Sequence, residues 1–212
     1  MKPVKRANAE PQGDEPIILF PNGASWAGWL GKNFDRSSGV WLRLAKKGSG
    51  LKSVSMSDAL DVALCFGWIT GQAKGESEKT WLARFLPRSR SSIWSRINRE
   101  RCEALIKSGK MKSAGMNAVE LAKRDGRWDA AYDSPKKAAV PPDLQQALEA
   151  NPRAQGFFES LDSANRYAIL FRIQTVKKAE TRARKIREFV VMLESGKTFH
   201  PPRRAARVKL KR

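Results

Sequence analysis

Apolar positions recur along this chain in two rhythms, and the change from one to the other organises it. Ile17-Ile18-Leu19-Phe20, bracketed by Pro16 and Pro21, reads as a strand or extended entry segment. Trp26, Trp29, Leu30 and Phe34 then fall at helical spacing, with Asn22 or Ser25 available as a cap. Val40-Trp41-Leu42-Arg43-Leu44 alternates as a strand before the turn Lys46-Lys47-Gly48-Ser49-Gly50. A short helix carrying Leu60, Ala63 and Leu64 follows, with Ser57 as its expected cap and Gly67 as its end. Trp68–Gly71 and Thr80–Leu86 read as two strands joined by a polar turn around Gly75.

Helical spacing dominates the remainder. Ile97, Cys102, Leu105 and Ile106 predict a helix ending near Gly109, and Ala114–Ala122 a second. Leu144 and Leu148, then Phe157, Phe158 and Leu161, predict two short helices interrupted at Asn151-Pro152. Residues 164–193 predict one or two more, with Ile169, Ile173, Val176, Ala183, Ile186, Val190 and Leu193 on a common side. The expected fold class is α+β: a small antiparallel sheet with helices, a helical carboxy-terminal half and a flexible basic tail. Residues 1–15 read as a disordered lead-in, 16–196 as a single domain with 133–142 as its candidate internal boundary, and 197–212 as the tail.

Charge changes the picture. Lys and Arg number 41 against 21 Asp and Glu, a net charge of +20 over 212 residues, yet seven tryptophans and 41% hydrophobic composition supply a core. Such a chain folds and presents a cationic surface to something anionic. The two cysteines, Cys65 and Cys102, lack metal or redox spacing and read as reduced thiols, which suits the cytoplasm. With a single histidine, His200, a histidine-based metal site or triad has little to work with. No apolar run is long enough to span a bilayer. Phosphate-binding glycine loops, nucleophile elbows and zinc-protease motifs are absent, so no catalytic residue, cofactor or metal is assigned. Asp58 and Asp61 form an i,i+3 carboxylate pair whose plainer role is as first-turn acids of a helix.

Two segments concentrate the basic residues. Between Arg84 and Arg101, 18 residues hold six arginines and one acid at an expected strand-to-helix junction, where guanidinium forks and helix N–H groups suit an anion. Arg88, Arg90, Ser91, Ser92, Arg96, Asn98 and Arg99 are the candidate contacts there. In the second segment Lys178, Arg182 and Lys185 fall on one helical face and could neutralise phosphates without reading bases. For each segment the plainer alternative is a solvated basic surface. Trp26, Trp29, Trp41, Trp81 and Trp94 read as core anchors. Trp68 and Trp128, beside glycines, are candidate walls of a cleft with Cys65 and Thr70.

Val40-Trp41-Leu42, Ala63-Leu64-Cys65-Phe66-Gly67-Trp68-Ile69-Thr70-Gly71, Pro87-Arg88 with Trp94-Ser95-Arg96-Ile97-Asn98, and Lys178-Ala179-Glu180-Thr181-Arg182-Ala183-Arg184 resemble the bacterial YdeI/OmpD-associated family, across roughly residues 17–196. The resemblance implies an intracellular bacterial protein of mixed helix and strand, tied to envelope stress, bacteriocin protection, cationic-peptide tolerance or porin regulation, with no established catalytic residues. Thr70 stands where the family carries Asp, and Leu86 where it carries Thr.

The expected function is non-enzymatic binding of a polyanion, DNA or RNA among them, with Arg203–Arg212 adding nonspecific attraction. The alternatives are a stress-linked module docking an acidic protein and a small-molecule enzyme with a cleft near Cys65–Thr70. Oligomeric state is not legible from the sequence.

Overall fold

The protein is described from a computed structural model over residues 15–201. The chain forms two compact units: the described residues up to Trp94 together with Asn98–Asp129, and Ser95–Ile97 with the described residues from Ala130 onward.

The first unit is built on a four-stranded sheet of order β1-β2-β4-β3, with β1 at Ile17–Ile18, β2 at Val40–Ala45, β3 at Trp68–Gly75 and β4 at Thr80–Pro87. Antiparallel pairing holds for β2–β4 and β4–β3, whereas β1 runs parallel to β2, so the sheet is mixed. In β2 the alternate residues Val40, Leu42 and Leu44 face a core that also holds Trp26, Trp68 and Phe85. Trp41, on the other face of the strand, is buried as well, with the Lys74 ammonium 4.8 Å from its ring. This covering turns the expected alternation into a nearly continuous buried run.

Helix α1 (Gly23–Asn33) starts where the Asn22 side chain accepts from the Ser25 N–H at 2.9 Å. Its Trp26 and Leu30 lie one turn apart on the buried face. The Trp26 indole N–H donates to the Ala59 carbonyl and that of Trp68 to the Phe34 carbonyl, both at 3.0 Å, so two large side chains enter the core with their polar atoms satisfied. Helix α2 (Met56–Cys65) is capped by Ser55, not by the expected Ser57: the Ser55 hydroxyl accepts from the Asp58 N–H at 3.1 Å. Ser57 instead meets the guanidinium of Arg101 at 3.2 Å. Gly67, at φ +73°, ends α2 in the left-handed region where glycine costs least. Helix α3 (Arg96–Lys107) buries Cys102, and α4 (Ser113–Arg124) buries Gly115, Val119 and Ala122.

The second unit packs α5 (Pro142–Glu149), α6 (Pro152–Ser160), α7 (Ser163–Gln174) and α8 (Ala179–Glu194) around Leu144, Leu148, Phe158, Ile169, Ile173, Ile186, Phe189 and Leu193. Each such side chain, moved fully out of water, contributes about 1.5–3 kcal/mol before the cost of ordering it. Asn151 and Asp162 cap α6 and α7 through their side chains, which fixes the breaks between successive helices. Beyond α8, part of the stretch expected as tail lies against this unit. Phe199 meets Phe189 edge-on at 5.5 Å, and the buried Asn165 amide accepts from the His200 N–H at 2.8 Å. Residues 1–14 and 202–212, including the candidate attraction of Arg203–Arg212, lie outside the described residues.

Candidate functional site

The arginine-rich segment after β4 is a loop held by its own hydroxyls. The Ser89 N–H donates to the Ser92 oxygen at 3.0 Å, and the Ser89 hydroxyl lies 3.1 and 2.9 Å from those of Ser91 and Ser92. These serines are engaged within the turn. Arg88 is directed inward: its guanidinium lies 3.6 Å from the Trp94 ring centroid and donates to the Ile93 carbonyl at 3.3 Å. Trp94, 2% exposed, packs edge-on against Trp128 at 4.9 Å.

Arg127, outside the candidate contacts expected from sequence, fastens this loop. It is only 7% exposed, forks onto Asp125 at 2.8 and 2.7 Å, and donates a third bond to the Ser92 carbonyl at 2.8 Å. A buried guanidinium needs this full set of acceptors. The signal in the sequence was the run Asp125-Gly126-Arg127-Trp128, an acid two residues from a base across a left-handed glycine.

The remaining candidates divide between the units. Arg90 and Ser91 are exposed on the loop, and Asn98 and Arg99 are half-buried in α3. Arg90 shares a depression of about 630 Å³ with Asn117 and Arg124 of α4. Arg99 pairs with Glu103 at 3.6 Å and donates to the Trp128 carbonyl at 3.4 Å. In the second unit Arg96 pairs with Asp133 at 3.2 Å. Lys178 is exposed just before α8 and Lys185 is half-buried. Arg182 is engaged by its own unit, forking onto Asp143 at 2.5 and 2.9 Å and donating to the Ile173 carbonyl at 2.8 Å. Those hydrogen bonds hold the Asp143 carboxyl below its usual pKa against the opposing effect of burial. Arg88, Arg96, Arg99 and Arg182 are thus occupied by partners inside their units, while Arg90, Lys178 and Lys185 make no ion pair among the described residues.

Of the four residues expected to form one cleft wall, Cys65 alone lines the cavity beside α2. Cys65 lines a cavity of about 500 Å³ together with Asp58, Asp61, Val62 and Phe66 of α2. Trp68, 1% exposed, belongs to the core, and Trp128, 6% exposed, lies under the arginine loop. Thr70 donates from β3 to the Arg84 carbonyl at 3.3 Å. Burial raises the Cys65 pKa and raises that of Cys102 to about 12, so both stay protonated and unreactive near neutral pH. Among the described residues no cluster of His, Cys, Asp or Glu could hold a metal, and no helix is long and apolar enough to cross a membrane.

Two family models match different parts of the chain. Residues 18–118, which carry the Cys-Phe-Gly-Trp-Ile motif, match a domain of unknown function (DUF8412). The resemblance drawn over residues 17–196 therefore holds for a shorter stretch than expected. No curated protein and no solved structure matches the chain. Residues 137–196, with the Lys178–Arg184 motif at the start of α8, match the model of the family described as bacteriocin-protection, YdeI or OmpD-associated.

Proposed function

We propose that the chain is a non-enzymatic polyanion-binding protein, working in the setting of bacteriocin protection that its carboxy-terminal family match names. The observation that carries this reading is how the charge is divided. Bases exceed acids by 41 to 21, and nine of the ten ion pairs among the described residues engage arginine. Lys123 is the one lysine in an ion pair among the described residues, so the positive charge left unpaired there is carried mostly by lysine. An ammonium on a flexible stem is a hydrated point charge without the planar fork that reads a phosphate or a base edge. Binding is therefore diffuse, backbone-directed and indifferent to sequence. Lys178 and Lys185 in the second unit are its described lysine contributors, and Arg90 and Arg124 add two guanidiniums in the first, beside Glu120. Two free, buried cysteines suit a reducing compartment, and a cytoplasmic site is part of the proposal.

Fluorescence anisotropy with labelled single-stranded DNA and RNA of mixed sequence tests the reading. Neutralising roughly six to ten phosphates makes affinity fall about 10³–10⁵-fold between about 50 and 200 mM salt, nearly equally for all sequences. The double variant Lys178→Glu, Lys185→Glu flattens that slope. Binding that ignores salt, or none at low salt, rejects the reading.

A further inference from the structure

The cavity beside Cys65 has a charge arrangement that polyanion binding does not use. One wall is α2, where steps of three and four residues bring Asp58, Asp61, Val62 and Cys65 to the same side. The loop between α3 and α4 contributes Lys110 and Lys112, and the Lys112 N–H donates to the Cys65 carbonyl at 3.2 Å, tying that loop to the end of α2. Phe66 and Leu105 add apolar surface. At about 500 Å³ the space has the size of a small-molecule site.

Each carboxylate keeps an oxygen uncommitted. Asp58 accepts from the Ser55 hydroxyl on Oδ2 at 2.7 Å, and Asp61 accepts from Arg101 on Oδ1 at 2.5 Å. The second oxygen of each has no protein partner among the described residues. In a chain where bases outnumber acids almost two to one, this cavity holds equal numbers of carboxylates and ammonium groups, the acids on the helix and the bases on the loop. Asp61 is also paired with Arg101, so a ligand here meets carboxylate and ammonium side by side and not a uniform positive field. A molecule carrying both charges would be held at both ends, with its hydrocarbon on Val62, Phe66 and Leu105. The Cys65 thiol, pushed up first by burial and then by Asp61 against the pull of Lys112 and Lys110, adds a soft apolar atom and no nucleophile.

We propose that this cavity binds a small zwitterion with an apolar body, of the amino acid or short-peptide class, its ammonium on Asp58 and Asp61 and its carboxylate on Lys110 and Lys112. The inference stands apart from polyanion binding, and either can fail alone.

Isothermal titration calorimetry on the full chain tests it with L-leucine, leucyl-leucine and 6-aminohexanoate, which differ in charge separation, against hexanoate and hexylamine, which each lack one charge. At least one zwitterion binds about tenfold or more tighter than both singly charged controls, the worth of one charge-assisted contact. Lys112→Gln and Asp58→Asn each weaken that binding about tenfold. Both residues are exposed, and a thermal melt verifies that each variant folds; should the Asp58 variant unfold through its tie to Ser55, the Lys112 variant decides alone. No binding by any of the three zwitterions, equal binding by the controls, or insensitivity to Lys112→Gln overturns the proposal.

Discussion

Gly115 sits where a side chain has no room. A Cβ there would lie 2.4 Å from the Cys65 carbonyl oxygen, 2.7 Å from that of Leu64 and 2.5 Å from the Met111 sulfur. Two of these are backbone atoms at the end of α2, so the clash cannot be relieved by turning a side chain. Gly115→Ala pushes α4 away from α2 and lowers stability by about 1–3 kcal/mol, the usual cost of overpacking. Gly28 is the contrasting case, exposed in the middle of α1 with nothing within 4 Å of an added Cβ. Gly28→Ala stabilises by about 0.5–1 kcal/mol, because the unfolded chain loses freedom and the native helix loses nothing. Urea unfolding followed by tryptophan fluorescence reads both changes. Equal stability of Gly115→Ala and the parent would show that α4 approaches α2 less closely than these distances require. The difference between the two glycines is invisible in sequence, since both stand in helical patterns and only the tertiary contact separates them.

At the scale of elements, what was legible in the sequence followed from local physics. The break at Asn151-Pro152 was readable because proline cannot extend a helix and asparagine caps the next one. What the sequence hid depended on partners distant along the chain. Ser55 and Ser57 are equivalent as caps until Arg101 engages Ser57 from another helix. Lys178, Arg182 and Lys185 share a face on a helical wheel, yet Arg182 is bound to Asp143, 39 residues away. That pair sets a pH dependence. The folded Asp143 carboxyl has a lowered pKa, so its contribution is complete above the unfolded value of about 3.9 and is lost as pH falls through the folded one. Asp143→Asn therefore lowers the thermal midpoint near neutral pH, and its deficit against the parent closes as the pH drops below about 4. With the Asp143 side chain 45% and the Arg182 side chain 26% exposed, solvent screening keeps the neutral-pH deficit small. A deficit that persists unchanged into acid would mean that the asparagine acts through packing and not through charge.

For the whole molecule, salt acts on two opposing electrostatic terms, and their ranges decide which one it changes. The ion pairs span 2.5 to 3.8 Å, well inside the Debye length of about 10 Å at 0.1 M salt. Many involve exposed side chains, and such pairs contribute only about 0–1 kcal/mol each. The repulsion from a net charge of +20 acts across the surface over distances beyond that length and is screened first. Sodium chloride added from low ionic strength to about 0.2 M should therefore raise the thermal midpoint, because it removes more repulsion than attraction. The same surplus thus weakens the fold at low salt, and under the proposed function a bound polyanion would relieve that strain by supplying the missing negative charge. Scanning calorimetry across a sodium chloride series measures the effect directly. A midpoint that falls with salt would mean that the close pairs outweigh the surplus, and the diffuse positive field on which the proposed polyanion binding depends would be weaker than the composition implies.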